Sequence, residues 1–146
     1  MKTLRTMRIA ATVAAISTGV LAGGFSGVAG AKAVPKLTVT PSTGLTNGKS
    51  VVVKGTGFKP KDQVYITECL RTAKGQAGCN IATAVPQFIT STGVLPATKF
   101  KLVTGVIGSG KCGTAASNLA KCAVSVGNIS GKDTASANIV FKAPKK

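Results

Sequence analysis

The chain contains no histidine and no tryptophan, and only three of its 146 residues are acidic. Without histidine, the Ser-His and Cys-His pairs that activate a nucleophile cannot be built. A pair of catalytic carboxylates, as in glycosidases, would require two acidic residues to meet. The three present, Asp62, Glu68 and Asp133, are scattered along the chain, and nothing in their spacing brings two of them together. We therefore expect a protein that is not an enzyme.

The four cysteines do not have the spacing of a zinc site. Nine residues separate Cys69 from Cys79, and nine separate Cys112 from Cys122. Zinc-binding cysteine pairs are usually separated by about two to four residues, and histidine often completes the site. We expect no bound metal.

One segment carries part of a nucleotide-binding pattern. The residues GVIGSGKC, 105–112, match a phosphate-binding loop as far as Lys111, but Cys112 stands where Ser or Thr should bind magnesium. Such a loop should also open a helix, and no helix with a strong apolar stripe follows. We interpret the segment as a Gly-rich turn between strands.

The N-terminus has the form of a secretory signal peptide. Three basic residues precede an apolar run from Ile9 to about Gly30, and small residues allow cleavage after Ala31 or Ala33. A membrane anchor is the alternative, but the run is rich in Gly, Ala and Ser, and no later run is long enough to span a bilayer. We predict a signal peptide over residues 1–33. The mature chain of about 113–115 residues would be secreted, and either released or retained at the cell envelope.

An even number of cysteines in an exported chain predicts disulfide bonds. Four cysteines allow three connectivities, and the equal short spans favour Cys69–Cys79 and Cys112–Cys122. Each bridge would close a loop of about eleven residues. The chain-entropy model gives about 3 kcal/mol of stabilisation for such a loop, before any strain.

The mature chain has the pattern of a β protein. Val, Ile and Thr are abundant, apolar and polar residues alternate, and Gly, Pro and Asn recur between the apolar runs. Seven short strands separated by turns indicate a sandwich of two sheets. The candidate strands are Lys36–Thr40, Ser50–Gly55, Gln63–Cys69, Asn80–Val85, Thr98–Val106, Cys122–Gly127 and Ala137–Phe141.

The segment VTPSTGLTNGKSVVVKGTGF, residues 39–58, resembles the opening of the neocarzinostatin family, the enediyne-antibiotic apoproteins secreted by actinobacteria. It has the Thr-Pro-Ser turn, the Gly-Leu pair and the strand ending in Gly-x-Gly. The first cysteine pair has the family's spacing, with Asn80 following Cys79, and ASANIVF is similar to the family's last strand. The resemblance covers most of residues 35–141 and is loose from about Pro86 to Lys121, where the second cysteine pair is wider than in the family.

This resemblance implies an all-β fold, a seven-stranded immunoglobulin-like sandwich with two local disulfides. The sandwich would occupy residues 34–141, followed by a basic tail over residues 142–146. In the family, a cleft holds a reactive enediyne chromophore that cleaves DNA, and the protein is its carrier. By resemblance, Cys69–Cys79 would lie at the cleft floor and Cys112–Cys122 would clip a loop beside it. An enediyne-type chromophore is the only cofactor implied, bound non-covalently, and we expect a monomer.

Several positions depart from the family pattern. Arg71 replaces a tryptophan, Ala77 a leucine and Ala84 a phenylalanine, and the aromatic loop before the third cysteine is reduced to TGVIGSGK, residues 104–111. Apolar polycyclic ligands are held mainly by aromatic and aliphatic burial. The cleft should therefore be shallower or more polar than a chromophore pocket.

Arg71 is the most informative of these positions. Desolvating an unpaired charge is expensive, so we expect its side chain either to point to water or to meet Glu68 or Asp62. The candidate cleft residues are Leu70, Arg71, Ala77, Ala84, Val106 and Ile107.

Two functions are compatible with this sequence. The first is a secreted carrier of a small apolar ligand, linked to antibiotic activity and with non-specific DNA affinity. The second is a basic, envelope-associated module that binds anionic polymers and no chromophore. The net charge of +16, about +13 without the signal peptide, favours non-specific attraction to polyanions such as DNA or envelope polymers. The basic residues considered are Lys49, Lys54, Lys59, Lys61, Arg71, Lys74, Lys99, Lys101, Lys111 and Lys121.

Overall fold

The computed structural model describes residues 33–144. The predicted signal peptide lies outside these residues except for Ala33, so its boundaries stay a prediction. Within residues 33–144, none of the helical segments is long and apolar enough to cross a bilayer.

The described residues form nine strands and three short 3-10 turns. The turns are Gln76–Gly78, Ile81–Thr83 and Ala116–Asn118. The strands are β1 (Lys36–Thr40), β2 (Ser50–Thr56), β3 (Gln63–Leu70), β4 (Val85–Phe88), β5 (Leu95–Lys101), β6 (Gly105–Ile107), β7 (Gly110–Cys112), β8 (Cys122–Gly127) and β9 (Thr134–Ile139).

Seven of these strands build the two sheets of a sandwich. One sheet has the order β1-β2-β5 and the other the order β4-β3-β8-β9. The neighbouring strands in both sheets are antiparallel. The predicted seven-stranded sandwich is therefore confirmed, and β6 and β7 add a separate two-stranded ribbon.

The core lies between the two sheets and follows the alternation of the strands. Val51 and Val53 of β2 and Phe100 of β5 face inward from one sheet, and Ile66 of β3 and Val124 of β8 from the other. Each of these side chains is at most 1% exposed. Burial of such a side chain stabilises the fold by about 1.5–3 kcal/mol, so the core fixes which face of each sheet points outward.

The prediction of a strand over Asn80–Val85 is wrong. Residues Ile81–Thr83 form a 3-10 turn, and the ladder between β4 and β3 begins where Val85 meets Ile66. Before it, contact with β3 is one isolated bridge between Cys79 and Cys69, where the Asn80 N–H donates to the Glu68 carbonyl oxygen at 2.8 Å, and the chain then turns away.

The predicted strand over Thr98–Val106 is two strands. β5 ends at Lys101, and β6 begins at Gly105. The break arises because the Val103 N–H leaves the ladder and donates to Glu68 Oε2 at 3.0 Å. A side chain from the facing sheet thus ends β5.

The segment resembling a phosphate-binding loop is the β6–β7 hairpin, as the interpretation of a Gly-rich turn predicted. Gly108 lies at its tip with φ of +53°. A Cβ at this position would overlap Gly78 and the carbonyl oxygen of Ala77. The absence of a side chain at Gly108 lets the ribbon pack against the loop closed by the first disulfide.

Candidate functional site

A cleft of about 580 Å³ lies on the outward face of the four-stranded sheet. Its floor is made by the side chains of β3, β8 and β9 that alternate away from the core. The volume falls within the range of about 300–1,000 Å³ that is usual for small-molecule sites. The cleft is therefore large enough for a drug-sized ligand.

The register of three strands arranges the floor in rows. Thr67 of β3 pairs with Ser125 of β8, which pairs with Ser136 of β9. The two serine hydroxyls are 2.8 Å apart and hydrogen-bonded. These short side chains leave the space above the sheet open and offer hydroxyl groups to a ligand.

Two loops form the walls. One is the segment 71–84, which the Cys69–Cys79 disulfide attaches to β3. The other is the turn 128–131, between β8 and β9. Ile81 on the first wall is 51% exposed and Ile129 on the second is 76% exposed. Both walls thus offer an exposed aliphatic side chain to the cleft, which an apolar ligand could cover.

The second wall is fixed by acidic residues placed beneath it. Asn128 donates from Nδ2 to Asp62 Oδ2 at 2.8 Å. The Lys59 N–H donates to Oδ2 of Asp133 at 2.7 Å, and Asp133 is only 1% exposed. Hydrogen bonds to charged acceptors are stronger than neutral ones. They tie this wall to the loop between β2 and β3.

Arg71 lines the cleft at the end of β3. Its Nε donates to the carbonyl oxygen of Cys122 at 3.2 Å, and its Nη2 donates to that of Ile139 at 3.1 Å. A guanidinium has five N–H groups, so three are left for water or a ligand. The Arg71 side chain was predicted either to point to water or to meet Glu68 or Asp62, and the structure shows it exposed. Within residues 33–144, neither Glu68 nor Asp62 forms a hydrogen bond with it.

No acidic side chain lines the cleft. Asp62 and Asp133 lie behind the second wall, and Glu68 points to the opposite side of β3, where it is fully buried. The whole chain contains only these three. Arg71 is the one charged side chain among the cleft-lining residues that the structure describes, so the cleft carries a positive charge at one end.

Glu68 lies in the core and not in the cleft. Burial raises the pKa of its carboxyl to about 7, and the hydrogen bond from Val103 acts in the opposite direction. Its oxygen and the sulfurs of Cys112 and Cys122 lie within 4.8 Å of one another. Because those sulfurs form a disulfide, they do not provide the thiolates that a metal would need.

The predicted disulfide pairing is confirmed, Cys69 with Cys79 and Cys112 with Cys122. Cys69 and Cys79 line the cleft, as the resemblance implied for the first pair. The second pair is fully buried and joins the ribbon to the start of β8.

The structure brings together three of the six candidate cleft residues. Leu70, Arg71 and Ala84 line the cleft. The ribbon carries Val106 and Ile107 elsewhere: Val106 is 70% exposed to solvent, and Ile107 is completely buried in the core. Contact of the first three with a ligand stays a prediction.

Ala77 does not line the cleft either, although it belongs to the wall loop. Its carbonyl oxygen faces the tip of the ribbon at Gly108. Ala77, Val106 and Ile107 are therefore not among the residues that line this cleft, because the ribbon packs beside the wall loop. Contact of these three with a ligand also stays a prediction.

Sequence reasoning missed the contribution of β8, β9 and their turn. A signal was present in β8, where Ala123, Ser125 and Gly127 alternate with buried valines. Small and polar residues on the outward face leave room above a sheet. The missed lining residues of these two strands and their turn are Ala123, Ser125, Val126, Gly127, Asn128, Ile129, Ser130, Gly131, Thr134, Ser136 and Asn138.

Residues 37–141 match the model of the neocarzinostatin family. The chain is 33% identical over 130 residues to macromomycin from Streptomyces macromomyceticus, covering 85% of this chain and 90% of that protein. It is 36% identical over 96 residues to the antitumor antibiotic C-1027 apoprotein from Streptomyces globisporus, covering 60% of this chain and 66% of that protein.

Solved structures show the same fold. The structure of macromomycin superposes with a TM-score of 0.59 at 29% identity, over 75% of this chain and all of that one. The solution structure of apokedarcidin superposes with a TM-score of 0.50 at 27% identity, over 77% of this chain and all of that one.

Proposed function

The chain belongs to the neocarzinostatin family, and we propose that it is a secreted, non-catalytic carrier that holds a small molecule in its cleft. One of its relatives is named an antibiotic apoprotein, a term for a protein without its non-protein partner. The observation that carries the proposal is the cleft itself, about 580 Å³ in volume and walled by a disulfide-closed loop and a hydrogen-bonded turn. Walls fixed before binding reduce the entropy cost of holding a ligand.

The lining indicates the class of ligand. Ile81 and Ile129 suit an apolar body, the hydroxyl groups of Thr67 and Ser125 suit polar substituents, and Arg71 suits an acidic group. We propose a ligand with an apolar ring system and a carboxylate or phosphate. An enediyne chromophore is one candidate for this body, and here aliphatic and polar side chains would hold it in place of the family's aromatic ones.

Native mass spectrometry of protein purified from its own culture medium tests the carrier role. We expect a bound small mass that is lost on denaturation, and a protein mass that begins at Lys32 or Val34 after signal removal. Ser125→Trp would fill the cleft floor and should abolish the bound mass. Thr38→Trp, on the outer face of the other sheet, is the matched control and should keep it. A ligand-free protein under all conditions, or a ligand retained by Ser125→Trp, would contradict the proposal.

A pair of probes tests the acidic group separately. We expect 2-naphthoate to bind about fivefold tighter than neutral 2-naphthamide, because a partly exposed ion pair contributes up to about 1 kcal/mol. Arg71→Gln should remove the difference. Lys74→Gln, an exposed cation outside the cleft lining, should leave it. Equal binding of the two probes by the unchanged protein would refute the acidic ligand class and leave the carrier role standing.

A further inference from the structure

The other sheet of the sandwich has four exposed lysines on its outer face. They are Lys36 on β1, Lys54 on β2, and Lys99 and Lys101 on β5. We call this set the lysine row. The outer face of this sheet points away from the cleft, so the row is independent of any ligand bound there.

Strand register places the first two lysines side by side. Lys54 pairs with Thr38, and Lys36 pairs with Thr56. Lys36 is therefore the diagonal neighbour of Lys54 on the same face. Diagonal neighbours across an antiparallel pair are about 7–8 Å apart.

The register on the other side of β2 continues the row. Lys99 pairs with Val52, and Lys101 pairs with Ser50. Lys99 is thus close to the diagonal neighbour position of Lys54. Lys101 lies two residues after Lys99 on the same face of β5, about 7 Å from it. The four ammonium-bearing residues run as one diagonal line across the three strands.

No acidic side chain of residues 33–144 neutralises this line. Strands β1, β2 and β5 contain no acidic residue. All three acidic side chains of the chain are placed elsewhere: Glu68 in the core, and Asp62 and Asp133 in hydrogen bonds behind the cleft wall. The four ammonium groups repel one another through solvent, and a bound polyanion would offset that repulsion.

A shallow groove of about 530 Å³ runs beside the first two lysines. Lys36, Thr38, Lys54 and Thr56 form one side, and residues 94–97 form the other. The face has no aromatic side chain on which bases or sugars could stack. A chain lying here would be recognised through its charges.

We propose that the lysine row binds a linear polymer of phosphodiesters, which lies diagonally across β1, β2 and β5. A line one lysine wide fits a polymer better than a membrane, because interfacial membrane binding also uses exposed aromatic and large aliphatic residues. The lysine ammonium is a point charge and lacks the planar, bidentate donor geometry of arginine. Binding should therefore depend on the phosphate charges and not on the base sequence. Single-stranded nucleic acid and a polyol-phosphate envelope polymer share this chemistry.

The test compares two variants of equal net charge. The row variant carries Lys36→Gln, Lys54→Gln, Lys99→Gln and Lys101→Gln. The control carries Gln at four exposed loop and ribbon lysines outside the row, Lys74, Lys111, Lys121 and Lys132. Because all eight lysines are exposed, both variants should stay folded, which thermal melts check.

Binding to a 20-nucleotide oligo-dT is measured over a range of salt concentrations. Each phosphate contact contributes about 0.7 to the slope of log K against log salt for single strands. The row variant should lose about three units of slope and at least about 30-fold in affinity at 0.1 M salt. The control should keep most of the slope. Equal losses in the two variants would overturn the proposal, since net charge alone would then explain binding.

Three further measurements distinguish the possible sources of the phosphodiester polymer. Oligo-dA should bind as tightly as oligo-dT, because the lysine row makes no base-specific contact. Poly(glycerol phosphate) should also compete; tighter binding than oligo-dT indicates an envelope polymer, and weaker binding a nucleic acid. Backbone amide shifts should concentrate on β1, β2 and β5. Shifts spread over lysines of the whole surface, or binding only to phosphatidylglycerol vesicles, would overturn the proposal.

Discussion

Glu68 Oε2 accepts a hydrogen bond from the Val103 N–H at 3.0 Å, and this bond joins the two sheets through the core. Glu68 lies on β3, and Val103 follows β5 of the facing sheet. The other carboxyl oxygen, Oε1, has no hydrogen-bond partner among residues 33–144. Burial disfavours the charged form and raises the pKa of this carboxyl, and the hydrogen bond from Val103 offsets the rise only in part.

The first prediction concerns the pH dependence of stability. The pKa of Glu68 rises from 4.5 to about 7 on folding, so the folded state binds more protons between these values, and stability must fall as pH rises through them. Glu68→Gln keeps an acceptor for Val103 and removes the titration. Urea unfolding should show that the free energy of unfolding of the unchanged protein falls by up to about 3 kcal/mol between pH 4 and pH 8. The Glu68→Gln variant should lack this fall. Parallel curves would contradict the buried, titrating carboxyl.

The second prediction concerns the floor of the cleft. A neutral naphthalene derivative should bind the unchanged protein no tighter than about millimolar, roughly −4 kcal/mol. Arg71→Trp with Ala84→Phe should tighten it about tenfold, because both positions line the cleft and aromatic burial adds affinity. Fluorescence titration measures both.

The control for this prediction uses two candidate residues that do not line the cleft, Val106 and Ala77. Val106→Trp with Ala77→Phe adds the same aromatic side chains outside the cleft lining, and binding should not change. Micromolar binding by the unchanged protein would overturn the expectation of a shallow, polar cleft. No gain in the Arg71→Trp, Ala84→Phe variant, or an equal gain in both double variants, would show that the cleft is not the binding site.

The third prediction separates the two disulfides. Both close loops of the same sequence separation, 10, so replacing either pair with serine should cost about 3 kcal/mol in chain entropy. Burying two serine hydroxyls at positions 112 and 122 should add to the cost of the second replacement. Only the Cys69→Ser, Cys79→Ser variant should weaken naphthoate binding while still folded, because only that pair lines the cleft. Thermal melts and titration below the melting temperature measure the two effects; equal weakening by both variants would disagree with this placement.

The fourth prediction concerns the second wall. Asp133→Ala would leave the Lys59 N–H without its partner and should cost about 1–3 kcal/mol. It should also speed hydrogen exchange in residues 128–132, because the turn loses one of its anchors. Ser130→Ala removes only an exposed hydroxyl that bonds to Asn128 at 2.9 Å and serves as the control. Unchanged exchange in the Asp133 variant would mean that the wall is held by other contacts.

Much of the fold could be predicted because alternation and turn residues act locally. Lys36–Thr40 and Cys122–Gly127 have the predicted bounds, since each has a buried face that its own residues define. The prediction of one strand over Thr98–Val106 was wrong because the Val103 N–H donates to the Glu68 carboxyl group, which lies on another strand. The residues within the segment carry no pattern that indicates this hydrogen bond.

The sequence by itself favoured the two local disulfides, indicated the sandwich and excluded Ser-His and Cys-His pairs, because these depend on composition, spacing and alternation along one stretch of chain. Only the tertiary structure decided which residues share the cleft and that four lysines form one line. Arg71 reaches the carbonyl oxygens of Cys122 and Ile139, and Lys36 lies near Lys54, through the pairing of separate strands. Register between such strands is set by the burial of their apolar faces together, and one residue of slip would move every one of these side chains to the other side of the sheet.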